Sequence, residues 1–279
     1  AEWGIPTYEK VIGIAMDGFG YGVDGSAWGG EVLCATYKNF KRLGYLREHP
    51  MPGGDLCAYY PDRMLISMMK SKVENEEKLR KMLKNNIRYL PYGEKEFKII
   101  IRQLDFTHLK TSSAGRFLDA VAALTGVCHR RTYEGEPAMK VEAAAFKGDS
   151  SKIKLETESY VIEKNNDLIL DTGEIIFDLW KALKYGCNIK DVCAAAQDIL
   201  AFGVAEMAIK LADKVKTDYV AVSGGVFANE RIFSLIKHYV EHQGFKFVFN
   251  RLVPPGAVSY THLRAHETEA DLVCRLLLE

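Results

Sequence analysis

The stretch "AMDGFGYGVDGSAWGGEVL", Ala15–Leu33, sets six glycines and two Asp-Gly pairs between apolar flanks. Upstream, "KVIGIAMDG" is a short β-branched run ending in turn residues, which predicts a buried strand. Downstream, "AWGGEVLCATY" predicts the next strand and "FKRLGYLREH" a third. Strand, glycine turn, strand is a hairpin. Successive glycine amides form nests that hold anions, and glycine lets a phosphate approach without a Cβ clash. The same glycines also suit a tight hairpin turn with no ligand, and the cluster alone does not choose.

Several phosphate-binding classes fall away. A dinucleotide fingerprint needs strand, glycines, helix, and here a strand follows the glycines. Walker A needs a closing Gly-Lys-Ser/Thr, which the chain lacks. A protein kinase also lays a glycine hairpin over phosphates, but its lysine strand, HRD loop and DFG are missing.

The 279 residues, 48% hydrophobic, suit one large domain or two modest lobes. Lys+Arg and Asp+Glu both number 37, so there is no basic excess of the kind that binds nucleic acid. No uninterrupted apolar run looks long enough to cross a bilayer, and "AEWGIPTYEK" reads as no signal peptide. The expectation is a cytoplasmic protein without membrane partners. Six scattered cysteines with no CxxC read as reduced thiols. Cys187 and Cys193 are taken as a loop cysteine and a buried helix cysteine rather than a metal pair.

Further along, "ENEEKLRKMLKNN" predicts a charged surface helix, and "LPYGEKEFKII" a loop with an extended piece. "TSSAGRFLDAVAALTG" predicts a half-buried helix, capped by its hydroxyl residues and stopped at Gly126. "IKLETESYVIEKNNDLILDTG" reads as extended pieces with turns. "NIKDVCAAAQDILAFGVAEMAIKLADKV" reads as a long central helix. "DYVAVSGGVFANERIFSLIKHYVEHQGFKFVFN" reads strand, glycine turn, helix, Gly244, strand. His238 and His242 on that helix sit at or beyond the edge of its apolar stripe and read as solvated.

The fold class that follows is α/β with two lobes, and ligands in such folds sit where strand ends and glycine turns meet. Three more clusters are candidates for that place: "MPGGDL" with Gly53, Gly54 and Asp55; "TSSAGRFLDA" with Ser112, Ser113 and Arg116 at a helix N-terminus; and "VSGGVFANERI" with Ser223, Gly224 and Gly225. Asp119 suits ribose hydroxyls or a plain ion pair. Asn229 suits an adenine edge or a helix cap. Hairpin glycines led by an Asp, then a later Gly-Gly turn, is the logic of the actin/Hsp70/sugar-kinase (ASKHA) group.

Taken in order, "IGIAMDGFGYGVDGSAWGGEVL", "MPGGD", "TSSAGRFLDAVAALTGV", "YEGEPAMKVE" and "VSGGVFANERI" resemble the C-terminal Kae1-like domain of the HypF carbamoyltransferase family, over about Glu9 to Gly256. The resemblance implies RNase-H-like lobes around a nucleotide cleft. It divides the chain into an N-terminal lobe with the hairpin and a helical insert (1–110), a helical middle with a C-terminal lobe (111–256), and a tail (257–279). It implies that ATP chemistry in a YrdC-like domain supplies carbamoyl-adenylate. This domain passes the carbamoyl group to the C-terminal cysteine of a HypE-type partner in [NiFe]-hydrogenase maturation. By motif, Asp17, Gly18, Gly20 and Gly22 line the phosphate region and Gly53, Gly54 and Asp55 border it. Ser112, Ser113, Gly115, Arg116 and Asp119 hold phosphate and ribose, and Gly224, Gly225 and Asn229 face the adenosine. No residue stands out as a general base.

The resemblance also implies an HHAH-type motif before the first strand and "DGGISLGQ" after "PPG", which carry a divalent metal; neither is in this sequence. Instead "AVSYTHLRAHETEADLVCRLLLE" follows, which resembles translated adapter read-through. The tail is therefore expected to be foreign, His262 and His266 are not taken as ligands, and the chain alone is expected to be inactive. The alternatives are a threonylcarbamoyl transferase acting on tRNA, a sugar- or acetate-kinase-like enzyme, and a non-catalytic adenylate-binding module.

Overall fold

The computed structural model describes residues 3–251 except 154 and 156. The expectations for the tail, including His262 and His266, lie outside the described residues.

The chain runs β1 (Val11–Tyr21), β2 (Ala27–Ala35), β3 (Phe40–Leu46), β4 (His49–Pro50), α1 (Leu56–Tyr59), α2 (Asp62–Lys70), α3 (Glu76–Met82), α4 (Lys84–Ile87), α5 (Gly93–Phe106), β5 (Lys110–Thr111), α6 (Ala114–Thr125), α7 (Glu136–Ala144), β6 (Val161–Lys164), β7 (Asp167–Leu170), α8 (Thr172–Lys184), α9 (Ile189–Val215), β8 (Tyr219–Ser223), α10 (Glu230–His242) and β9 (Lys246–Phe249). The path β6-β7-β3-β2-β1-β8-β9 forms one mixed sheet, with β4 and β5 attached beside β2. β2 is antiparallel to β1 and β3, whereas β8 and β9 run parallel to β1. That core, 3-2-1-8-9, is an RNase-H-like arrangement of the kind the family resemblance implies.

The expected division near residue 110 does not separate two sheets. β1 and β8 are hydrogen-bonded neighbours, pairing Ile12 with Val220 and Ile14 with Val222. The described residues thus make one such lobe. Alternation places Ile12, Ile14, Met16, Val32, Val220 and Val222 in the main core, while Val11, Ala221 and Val248 form a small cluster under Trp3 and Ile5 on the other face.

Local chemistry sets the elements. Ser113 caps α6 by accepting from Arg116 N at 3.2 Å, and Gly126 ends it at φ 75°. Asp171 caps α8, Asn188 caps α9 and Asn229 caps α10. Asn165 and Asn166, at φ 53° and 70°, turn the β6–β7 hairpin. Three expectations need correcting. "GEKEFKII" is helical: Phe97, Ile100 and Ile101 bury one face of α5 at helical spacing, which overrides the strand preference of the isoleucines. α6 is more than half-buried, since every residue but Leu124 is buried. α9 is long and apolar enough to cross a membrane, yet most of it is buried inside this fold, so its apolar surface builds the protein's own core.

One irregularity shapes everything above the sheet. Met16 pairs with Gly30 and Gly20 with Trp28, so Asp17, Gly18 and Phe19 stand against Gly29 alone. This bulge throws the three residues out of the ladder. Gly224, at φ 111°, passes so close that an added Cβ would lie 2.2 Å from Met16 O. Replacing Gly224→Ala is expected to cost about 3 kcal/mol or more, from overpacking plus backbone strain. Gly244→Ala, with nothing within 4 Å of the new Cβ at φ 87°, is expected to cost about 1 kcal/mol. Urea unfolding of the two variants checks the contrast.

Candidate functional site

The strands β1 and β8 run parallel, and at their C-terminal ends the sheet order reverses, the usual place for a ligand crevice. A cavity of about 560 Å³ lies there, within the size range of small-molecule sites. Its floor is the bulge, Asp17, Gly18 and Phe19. Its walls are Asp55 ahead of α1, Gly115, Arg116 and Asp119 on α6, and Gly225 with Asn229 between β8 and α10. Four motifs separated by up to two hundred residues thus meet in one place.

The floor is held by close packing and by one carboxylate. An added Cβ on Gly115 would stand 2.6 Å from Gly18 Cα, so the first turn of α6 lies directly on the bulge. Asp17 Oδ1 accepts from Gly18 N at 2.6 Å, and the Gly225 backbone amide also favours its carboxylate, so the first glycine cluster meets the last there. Burial raises the Asp17 carboxyl above its ordinary value despite those amides.

Arg116 and Asp119 form a buried pair on the wall, Nη2 to Oδ2 at 2.9 Å. Among the described residues Arg116 Nε has no hydrogen-bond partner, and neither does Asp119 Oδ2 in hydrogen-bonding geometry. Burial pushes the Asp119 carboxyl up to about 6, opposed by Arg116 and Arg131. These are polar groups with capacity to spare in a cavity wall.

Not every expected residue reaches the cavity. Gly20 pairs with Trp28 beyond the bulge, and Gly22 sits at the hairpin tip, where a Cβ would lie 2.2 Å from Trp28 Nε1. Gly53 and Gly54 take φ 82° and 58° to turn the chain before α1, so of "GGD" only Asp55 lines the wall. Ser112 donates to Glu31, and Ser113 Oγ lies 2.7 Å from Asp17 O and 2.8 Å from Gly18 O. Both serines are buried under the floor rather than facing the cavity. Gly224 lies against Met16. Asn229 is a helix cap, accepting from Ile232 N at 3.0 Å, while its amide donates to Gln197 Oε1 at 2.8 Å; it still edges the cavity.

Sequence reasoning assigned no role to Tyr59, Arg131, Glu134, Gly135, Met139 or Glu142, all of which line the cavity. Arg131 lies over the Tyr59 ring at 4.6 Å and its amide donates to Tyr59 O at 2.9 Å, joining two walls. "YEGEPAMKVE" was the available signal, since it supplies the last four. Cys57, next to the wall residue Ala58, is fully buried and donates to Pro52 O; burial pushes its thiol up to about 12. His238 and His242 are exposed on α10 and line no part of the cavity. The five cysteines among the described residues are free thiols. Among the described residues no group of three or more His, Cys, Asp or Glu is placed to hold a metal.

The Asp119 shift has a sign that can be measured. A carboxyl whose folded value is raised to about 6 stabilises the fold below its unfolded value and loses that contribution as pH rises through 6. Asp119→Asn is therefore expected to gain stability relative to the unsubstituted chain between pH 4.5 and 7.5, read by urea unfolding at both ends.

The chain is similar to known proteins over most of its length. The family model described as "Carbamoyltransferase, Kae1-like Domain, second subdomain" matches residues 13–259. The probable carbamoyltransferase HypF of Methanocaldococcus jannaschii is 36% identical over 253 residues, covering 89% of this chain and 31% of its own length. Carbamoyltransferase HypF of Rhodobacter capsulatus is 32% identical, covering 84% and 29%. The crystal structure of T. kodakarensis HypF superposes with a TM-score of 0.78 at 36% identity, covering 91% of this chain and 34% of that one. Full-length HypF in a phosphate- and nucleotide-bound form gives a TM-score of 0.76 at 28% identity, covering 90% and 32%. The chain thus spans about a third of the length of these relatives. The family-model match over residues 13–259, with relatives and solved structures up to 36% identical over most of the chain, places this chain in the Kae1-like carbamoyltransferase family, as the part described as its second subdomain.

Proposed function

We propose that the cavity binds carbamoyl-adenylate and that carbamoyl transfer to the C-terminal cysteine of a HypE-type maturation protein takes place at its mouth, in the cytoplasm. The carrying observation is the convergence of Asp17–Gly18, Gly115–Arg116–Asp119 and Gly225–Asn229 on one crevice. A similar protein has been crystallised in a phosphate- and nucleotide-bound form, which supports a nucleotide here. ATP would be used in making the adenylate, by a YrdC-like domain of a longer chain.

The residues divide the work by charge. Arg116 and Arg131 attract the phosphate, and guanidinium groups bind phosphate oxygens in paired hydrogen bonds. Asp119 and Glu134 accept hydrogen bonds from ribose hydroxyls. Gly18 leaves room beside Arg116, where an added Cβ would meet only Nη2 at 3.8 Å. The thiolate of the partner attacks the carbamoyl carbon, a C–S bond forms, the C–O bond to phosphate breaks, and AMP leaves with the electron pair. AMP is a good leaving group, so the protein need only orient the two and steady the developing charge.

Arg116→Lys is expected to weaken AMP binding about tenfold, because a point charge replaces a planar fork. Gly18→Ala is expected to do the same while changing stability by about 0.5 kcal/mol or less, since the protein itself leaves that space open. Calorimetric titration with AMP and urea unfolding check both. Supplying carbamoyl-adenylate with a protein cysteine acceptor or with tRNA then tests the acceptor; carbamoylation of tRNA in place of the cysteine would overturn the reading.

A further inference from the structure

Glu31 is a carboxyl in the middle of a core strand, only 2% exposed, and it does not touch the cavity. Its Oε2 accepts from Gly29 N at 2.6 Å and from Gly30 N at 2.7 Å, and its Oε1 accepts from the Ser112 hydroxyl. Each of those partners leads directly to the floor. Gly29 is the residue opposite the bulge, and its added Cβ would lie 2.7 Å from Asp17 O. Gly30 lies against Ser112 O, at 2.3 Å from an added Cβ. Ser112 precedes Ser113, whose hydroxyl holds Asp17 O and Gly18 O and caps α6.

We propose that Glu31 is a positioning residue for the cavity: through Gly29, Gly30 and Ser112 it fixes the Asp17–Phe19 bulge against the first turn of α6. The carboxylate accepts from all three donors; protonated on Oε1, the carboxyl must donate to Ser112 Oγ instead, which reverses that contact and weakens its hold on the two glycine amides. Burial pushes this carboxyl up to about 7. A value raised above the unfolded one means that ionisation near neutrality costs the fold stability. A side chain needed only for packing would avoid that cost. Of the charged and titratable groups, Arg42 on β3 acts on this carboxyl and Tyr45 stands opposite it in the β2–β3 register, while His49 and Lys110 lie on the neighbouring β4 and β5 and Asp17 and Arg116 on β1 and α6. Arg42 favours the carboxylate, and His49 is held neutral by burial, at about 3.

The proposal rests on the nucleotide reading only for its effect on ligand, so the test has two readouts. The first is the amide resonances of Gly18, Gly29, Gly30 and Gly225 in the ligand-free chain between pH 5.5 and 8.5. All four are expected to share a transition near 7 that Glu31→Gln abolishes and Ser112→Ala moves upward. The Gln variant also separates this phase from Asp17's own titration. If Gly29 and Gly30 follow Glu31 while Gly18 and Gly225 do not, Glu31 is a local support and the proposal fails. The second readout is AMP affinity. Glu31→Gln is expected to bind about tenfold more weakly at pH 8 and to converge with the unsubstituted chain toward pH 6. Taking the ratio of the two proteins cancels the phosphate's own ionisation. A ratio near one at both ends would overturn the positioning role. Coupled amides with no AMP binding by either protein would uphold it and remove the nucleotide reading instead.

Discussion

Three backbones meet at the end of β1 with no side chain between them. Gly115 rests on Gly18, Gly224 rests on the carbonyl of Met16, and Gly29 rests on the carbonyl of Asp17. Packing this tight has few solutions, because a Cβ at any of the three contacts would force main chain apart. The bulge follows from it: residues 17–19 cannot stay in the ladder and still lie under α6. The cavity follows in turn, since α6, α7 and the β8–α10 turn can approach each other only as far as their glycines allow. The crevice is what remains between elements already in contact at its base.

That base is buried, and its polar groups show it. Asp17, Glu31 and Asp119 all have carboxyls raised by burial, each against hydrogen bonds or arginines that pull the other way. Buried carboxylates are expensive unless they are well partnered. Glu31 has three donors; Asp119 is ion-paired with Arg116 and, among the described residues, its Oδ2 accepts no hydrogen bond. The difference separates a group that organises the fold from one that retains capacity for something bound. Strain and unsatisfied polarity concentrate at sites in this way, offset by the large apolar core built by α9 and the sheet.

The strands, caps and long helices were legible because they depend on local chemistry. Ser113, Asn229 and Gly126 sit at helix ends where a short-range rule places them. α5 was not legible as a helix, because three consecutive isoleucines favour a strand until Phe97 and Ile100 find a core to face. The single sheet was not legible either: the pairing of β1 with β8 joins residues some two hundred apart, and no local signal carries it. Four site motifs were recognised as groups, but which member of each faces the ligand depends on side-chain direction. "TSS" shows this well. Its serines point beneath the floor to Glu31 and Asp17, while Arg116, one turn on, reaches the cavity.

Glycine-rich sequence therefore carries two signals with the same spelling. Gly22, Gly29, Gly30, Gly115 and Gly224 are required by the protein, because an added Cβ on each would lie under 3 Å from its own atoms. Gly53, Gly54 and Gly25 are required by backbone dihedrals. Gly18 fits neither case: its new Cβ would find only the tip of Arg116, at ordinary contact distance. An empty position beside a buried guanidinium, at the end of a strand, has no use in the fold itself. Under the proposed function it is where a phosphate would reach the arginine, and in that respect it differs from Gly22, Gly25, Gly29 and Gly30 of the same hairpin.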